Sequence, residues 1–261
     1  MKKAALFFLP WILFAKVHTV KVEPFMIYHY KAAASGEVVL AKDSKESRVV
    51  EDEVLVKLDD KIDRKTLAML QKKLQVLEKI IAITRKNLQN TQEIMQIKKG
   101  NYDRIKDLKT KSSFEKNMRK AEYLAAKSSY LNLQEKLQNL LIQKADIELQ
   151  IAKTKDTIAK KSLRVSGYVY KIYPKRGDFV NFAAPLFDIA DISRAKVVLY
   201  LTPEEMQDIQ NKKIFINGKR SSARFYKIQR ITDQNYITQY RAEVVIPAPK
   251  IFGKFIEVEI R

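Results

Sequence analysis

The sequence predicts an α+β protein: a long antiparallel α-helical hairpin inserted between two halves of a β-sandwich and followed by a small antiparallel β-barrel. Three observations carry that prediction. No proline lies between Pro24 and Pro174, and Gly100 is the only glycine between Gly36 and Gly167, so chain breakers are confined to the flanks. Apolar residues in the middle recur on alternating three- and four-residue steps, the mark of a coiled-coil seam. The segments on either side of that middle repeat one another.

The middle, 61–161, is rich in Leu, Lys, Gln, Glu and Ala, all good helix formers. Its first half places Leu67, Leu70, Leu74, Leu77, Ile81 and Leu88 on one stripe, continuing less regularly through Met95, Tyr102 and Ile105. The second half does the same from Tyr123 through Tyr130, Leu137 and Leu140 to Ile147, Ile151 and Ile158. Between them, Lys109-Thr110-Lys111-Ser112-Ser113 interrupts the pattern, and Ser112 or Ser113 followed by Glu115 or Lys116 has the form of a helix start. Gly100-Asn101 is the competing break. It would leave arms too unequal to pair along their length, so the turn is placed at 109–113. Each arm, about 48 residues, then reaches ~70 Å at 1.5 Å per residue.

The repeat aligns 35–58 with 166–189 without a gap. Ser35-Gly36 matches Ser166-Gly167, Val38 matches Val169, Val49 matches Val180, Leu55 matches Leu186, and Leu58 matches Ile189. The second copy carries Gly177-Asp178 where the first has Glu46-Ser47, and Ala183 where the first has Asp52. Each half is too small to bury an apolar face alone, so the two are expected to pack on each other with the hairpin leaving between them.

Beyond Asp191, short β signals recur at 195–201, 213–216, 224–228, 240–246 and 255–260, with one short helix opened by Pro203-Glu204-Glu205. The extended stretch 17–30 is expected to join these strands. Met1-Lys2-Lys3 followed by an apolar run from Ala4 to Ala15 has the pattern of a secretory signal, too short to span a bilayer as a helix. The expected organisation is a signal at 1–15, an N-terminal barrel strand at 16–31, half-motifs at 32–60 and 162–191, the hairpin at 61–161, and a barrel at 192–261.

The order half-motif, hairpin, half-motif, β domain resembles the HlyD/AcrA-type membrane fusion protein family. The residues that carry the resemblance are Ser35-Gly36-Glu37-Val38, Leu58-Asp59-Asp60, Ser166-Gly167-Tyr168-Val169, and Gly177-Asp178-Phe179-Val180 through Pro185-Leu186-Phe187. The resemblance implies a lipoyl-like sandwich built on Gly36, Val38, Val49, Leu55, Gly167, Val169, Gly177, Asp178, Val180 and Leu186. It also implies a periplasmic adaptor, associated with the inner membrane and linking a transporter there, of ABC or RND type, to a TolC-like outer-membrane channel. By the same resemblance, several copies ring the channel axis, as a hexamer. The hairpin tip would meet the channel through an Arg, Leu and Ser set, for which Arg104, Leu108 and Ser112 or Ser113 are the candidates. The stretch from Leu108 to serine is shorter than the family's pattern. Longer family members carry a further membrane-proximal domain, and about 70 residues after the second half-motif provide for the barrel alone.

Catalysis is not expected, and no cofactor is implied. With no cysteine and two histidines, His18 and His29, the chain offers no thiol chemistry, disulfide framework or Cys-based zinc site. A lipoylated lysine needs a tight hairpin between the half-motifs, and here that place is taken by the helical insertion. The net charge of +20 first suggests nucleic acid, but 61–161 holds 24 Lys+Arg against 11 Asp+Glu. Spread among seam leucines, those charges suit the solvated faces of a hairpin, and no groove-reading motif accompanies them. A secreted coiled-coil protein that binds anionic surfaces is the alternative.

Overall fold

The computed structural model describes residues 16–233 and 236–261, so the expected signal at 1–15 lies outside them. In chain order the elements are β1 (Val17–Lys21), β2 (Glu23–Lys31), β3 (Gly36–Ala41), β4 (Val49–Leu58), α1 (Lys61–Ile105), α2 (Ser113–Lys160), β5 (Ser162–Ile172), β6 (Phe179–Val180), β7 (Pro185–Leu201), α3 (Pro203–Met206), β8 (Ile214–Ile216), β9 (Lys219–Arg220), β10 (Arg224–Thr232), β11 (Tyr240–Pro247) and β12 (Phe255–Ile260). They divide into two compact units, one comprising 33–37 and 58–163, the other the remaining β residues.

The first unit contains the helical hairpin. Helix α1 runs unbroken through Gly100, where an added Cβ would meet nothing within 4 Å. A glycine there costs the helix only its intrinsic propensity, about 1 kcal/mol. The seam is deepest at Leu77, Ile81, Ile147 and Ile151, with Leu67, Leu70, Leu74, Leu137 and Leu140 packed beside them. Its 3-4 rhythm is more regular than the apolar residues alone suggest. Thr84, buried to 4% exposure, together with half-buried Thr91 and Lys98, fills the steps between Ile81 and Tyr102. Lys144 and Thr154 do the same on α2. The two lysines lay their stems along the seam and carry the ammonium groups out to acidic partners on the other helix. Lys98 reaches Glu122 and Lys144 reaches Glu78, each at 2.8 Å.

The open end of the hairpin is closed by backbone. Leu58 N donates to Lys161 O at 2.9 Å, and Asp59 N donates to Glu37 O at 2.8 Å. The Lys161 ammonium lies 2.6 Å from Asp63 and also donates to Asp59 O. Asp59 and Asp60 serve the start of α1: Asp59 Oδ1 accepts from Lys61 N at 3.0 Å, and the buried Asp60 carboxylate holds Arg64 at 2.8 Å. Negative side chains suit the positive end of a helix.

In the β unit, one sheet has the order β10-β11-β7-β5-β4-β3-β6, with β2 also paired to β7, and a second has the order β1-β12-β8-β9. The 17-residue β7 runs without a break through the expected boundary at 191/192, pairing with β2, β5 and β11. Strand β1 pairs antiparallel with β12, from Val17 opposite Glu259 to Lys21 opposite Phe255, so the N-terminal strand does join the C-terminal set. Residues from both sheets, including Val22, Val197, Leu199, Val244 and Val258, share one core. Their alternation along β7 and β11 is the period of a strand with one buried face. The short α3 begins as the sequence predicts, with Pro203 in its first turn and a capping box between Thr202 and Glu205.

The two repeat halves hold each other reciprocally. Val38 N donates to Asp178 O and Gly177 N donates to Val38 O, both at 2.8 Å. In the mirror arrangement, Val169 N donates to Arg48 O at 2.9 Å and Ser47 N to Val169 O at 2.8 Å. Val38, Leu55, Val169, Val180 and Leu186 are all buried. One expectation fails: Val49, aligned with Val180, is 68% exposed, and Val50 takes the buried place. The first copy is displaced by one residue across its turn. Where the second copy has left-handed Gly177, the first puts Ser47 in that conformation, and the ungapped alignment points instead to Glu46. The register is restored at Asp52 and Ala183, which share a left-handed backbone at φ 45° and 64°. Gly167 is required twice over. Its φ is +134°, and a Cβ there would lie 2.6 Å from Ile189 Cγ2.

Candidate functional site

The candidate site is the closed end of the hairpin. Helix α1 ends at Ile105, Lys106 caps it through a bond to Tyr102 O, and α2 starts at Ser113, so the turn occupies 106–112. It therefore begins three residues earlier than the expected 109–113, and Ser113 belongs to the helix. The reason is local. Leu108 N bonds to Ile105 O at 3.2 Å and Lys111 N to Leu108 O at 3.4 Å, tightening the chain immediately after α1. Ser112 is the N-cap, its hydroxyl accepting from Glu115 N at 3.2 Å. The Glu115 carboxylate pairs with Lys111 at 2.9 Å, so no reciprocal capping box forms.

The four candidate residues thus differ in what they do. Ser112 is occupied in ending the turn, and its loss would cost about 1 kcal/mol of helix stability. Arg104 folds back on its own helix, donating to Gly100 O at 3.3 Å and to Asn101 Oδ1 at 3.0 Å. Leu108 is 45% exposed and Ser113 is exposed. Sequence reasoning missed two more: Phe114, at 77% exposure, and Met118, at 43%. They stand four apart and so share one face of the first turns of α2. The signal was available, since neither falls on the seam spacing of α2.

The electrostatics around this apolar set are basic. Lys106, Lys109, Lys111, Lys116 and Arg104 stand within the same stretch, against Asp103, Asp107 and Glu115. Asp103 holds the Lys106 ammonium above the usual lysine range through a hydrogen bond at 3.1 Å. An exposed aromatic and two aliphatic residues among cations form a surface suited to a partner with apolar pockets and acidic rims. Among the described residues, no group of three acidic or histidine side chains could hold a metal ion. No helix among them is long and apolar enough to cross a membrane.

A helical hairpin inserted in a β repeat, with the N-terminal strand returning to a C-terminal β set, is a fold this chain shares with solved structures. The chain is similar to MacA from Actinobacillus actinomycetemcomitans, with a TM-score of 0.59 and 19% identity over 94% of this chain and 77% of that one. It is also similar to the membrane fusion protein Spr0693 from Streptococcus pneumoniae R6, with a TM-score of 0.65 and 10% identity over 95% of this chain and 99% of that one. At such identities the likeness is one of fold. No family model matches the sequence, and no curated protein matches it.

Proposed function

We propose that this protein is a periplasmic adaptor of a tripartite efflux or secretion system. It would join an inner-membrane transporter, of ABC or RND type, to a TolC-like outer-membrane channel. The observation that supports this most is the end of the hairpin, where Leu108, Phe114 and Met118 stand exposed beyond a shaft paired along its length. In this reading the two interlocked repeat halves form a lipoyl-like sandwich, and strands β1, β7, β8, β11 and β12 form the barrel. Copies of the chain ring the export path at the inner membrane. The adaptor works by geometry and forms no bonds with its cargo, so energy comes from the transporter.

The test is export by the host strain with Leu108→Asp or Phe114→Asp in place of the wild type. Each variant should fold and reach wild-type levels, while export falls at least tenfold. Detergent crosslinking of the wild type should recover a polytopic inner-membrane transporter and an outer-membrane channel. Wild-type export in both variants, with neither partner recovered, would overturn the proposal.

A further inference from the structure

Strands β7, β10 and β11 border a groove of about 450 Å³, lined by Arg194, Ser222, Arg224, Tyr226, Val245 and Pro247. Antiparallel pairing sets Arg194 of β7 opposite Pro247, and Arg224 of β10 opposite Val245. Two arginines from different strands thus flank one three-residue stretch of β11. Among the described residues, neither has an acidic partner. The carboxylates of β7 and β11 are engaged elsewhere. Glu243 takes Arg241 at 2.8 Å and Lys196 at 3.8 Å. Asp188 takes His29 and Tyr173, and Asp191 takes Ser193. Strand β10 contains no acidic residue.

One of the two arginines is held in place by aromatic rings. The Arg194 guanidinium carbon stands 3.9 Å from the centre of the Phe25 ring, and Phe25 meets Tyr226 edge-on at 5.2 Å. A cation over a ring face is positioned while its N–H groups stay able to donate. Neither aromatic residue lies in a regular ladder. The β2–β7 register shifts between Pro24 and Met26, and the β10–β11 register shifts between Phe225 and Lys227. Phe25 and Tyr226 are the residues at those two shifts. A bulge leaves a residue unpaired and re-aims its side chain. Irregularities in two separate ladders therefore converge on one aromatic pair beside Arg194. Because β10 ends its sheet, Arg224 and Tyr226 stay exposed to an entering ligand.

We propose that this groove binds a small organic anion carrying one carboxylate on an apolar ring. The planar guanidinium fork matches a carboxylate, and such charge-assisted bonds are stronger than neutral ones. Tyr226, Val245 and Pro247 give the ring body an apolar wall. The volume suits a small ligand, since ligand pockets commonly span about 300–1,000 Å³. An inorganic anion would leave that wall uncovered. A second copy presenting the same surface would bring two more arginines against the first two. The inference concerns the β unit alone and stands whether or not the adaptor reading holds.

The test is titration of full-length protein with naphthoate at constant ionic strength, followed by ligand-observed NMR. Saturable binding is expected. Arg194→Gln and Arg224→Gln should each weaken it at least tenfold, while Arg220→Gln, outside the groove, leaves it unchanged. Neutral naphthamide should bind at least tenfold more weakly than naphthoate, and an equal concentration of inorganic phosphate should not displace it. All three arginines are exposed, so each variant should keep the wild-type circular dichroism spectrum. Should loss of the Phe25 contact unfold Arg194→Gln, Arg224→Gln decides alone. No saturable binding up to the solubility limit would overturn the site. So would equal affinity in Arg224→Gln, an equal loss in Arg220→Gln, or equal affinity for naphthamide. Displacement by phosphate would overturn the apolar half of the ligand.

Discussion

The two units bury their residues in opposite ways. In the β unit, Val38, Leu55, Val169, Phe187 and Val197 are each shielded to 0% exposure, and both halves of the repeat contribute. In the hairpin the best-buried residues, Ile81, Thr84 and Ile147, retain 4%, and most seam positions are only half-buried. Two helices cannot enclose a core; they can only share a stripe. The β unit therefore encloses a core within one chain. The hairpin divides its apolar residues between one internal seam, its exposed outer faces and a tip.

That difference can be broken most severely at Gly167. A Gly167→Val substitution puts a β-branched side chain into a left-handed backbone and against Ile189, and should leave no folded β unit by circular dichroism or limited proteolysis. Next is Leu55→Ala, which opens a cavity among fully buried neighbours and should cost about 2–5 kcal/mol in denaturant unfolding. Ile81→Ala, at the deepest point of the seam, should cost about 2 kcal/mol, because the open seam can relax around the lost atoms. A larger loss at Ile81 than at Leu55 would reverse the contrast between the units.

The smallest effect concerns acid. Lys98 holds the Glu122 carboxyl below the usual carboxylate range through a hydrogen bond, with Arg119 adding to it. A carboxylate whose folded pKa is depressed stabilises the fold at neutral pH. That contribution fades as pH falls below about 4 and the group protonates. Hairpin helicity, followed by circular dichroism, should therefore show a modest acid-dependent loss that Glu122→Gln abolishes. An unchanged acid profile in that variant would remove this pair from the forces fixing the register.

Much of this was legible because coiled-coil spacing and chain breakers are local signals. The confinement of proline and glycine to the flanks marked both ends of the hairpin, and Pro203 marked α3. What stayed hidden was polar or displaced. Thr84, Thr91, Lys98 and Lys144 sit in the seam, yet a search for apolar residues passes over them; lysine stems pack there only because the ammonium groups find carboxylates across the hairpin. Val50 was missed because Ser47 in one turn and Gly177 in the other reach the left-handed conformation one residue out of step, and an ungapped alignment follows letters, not φ angles. Phe114 and Met118 lie off the seam spacing, so a search that follows the seam passes over them.

In the proposed adaptor, the hairpin tip meets an outer-membrane channel and not the inner membrane. Placing a photo-crosslinking amino acid at position 114, and separately at Gln138 in mid-shaft, tests it in intact cells. From position 114 the expected product joins this chain to an outer-membrane channel protein, while position 138 should join it to a second copy of itself. Recovery of only inner-membrane proteins from position 114, or of nothing, would contradict the claim.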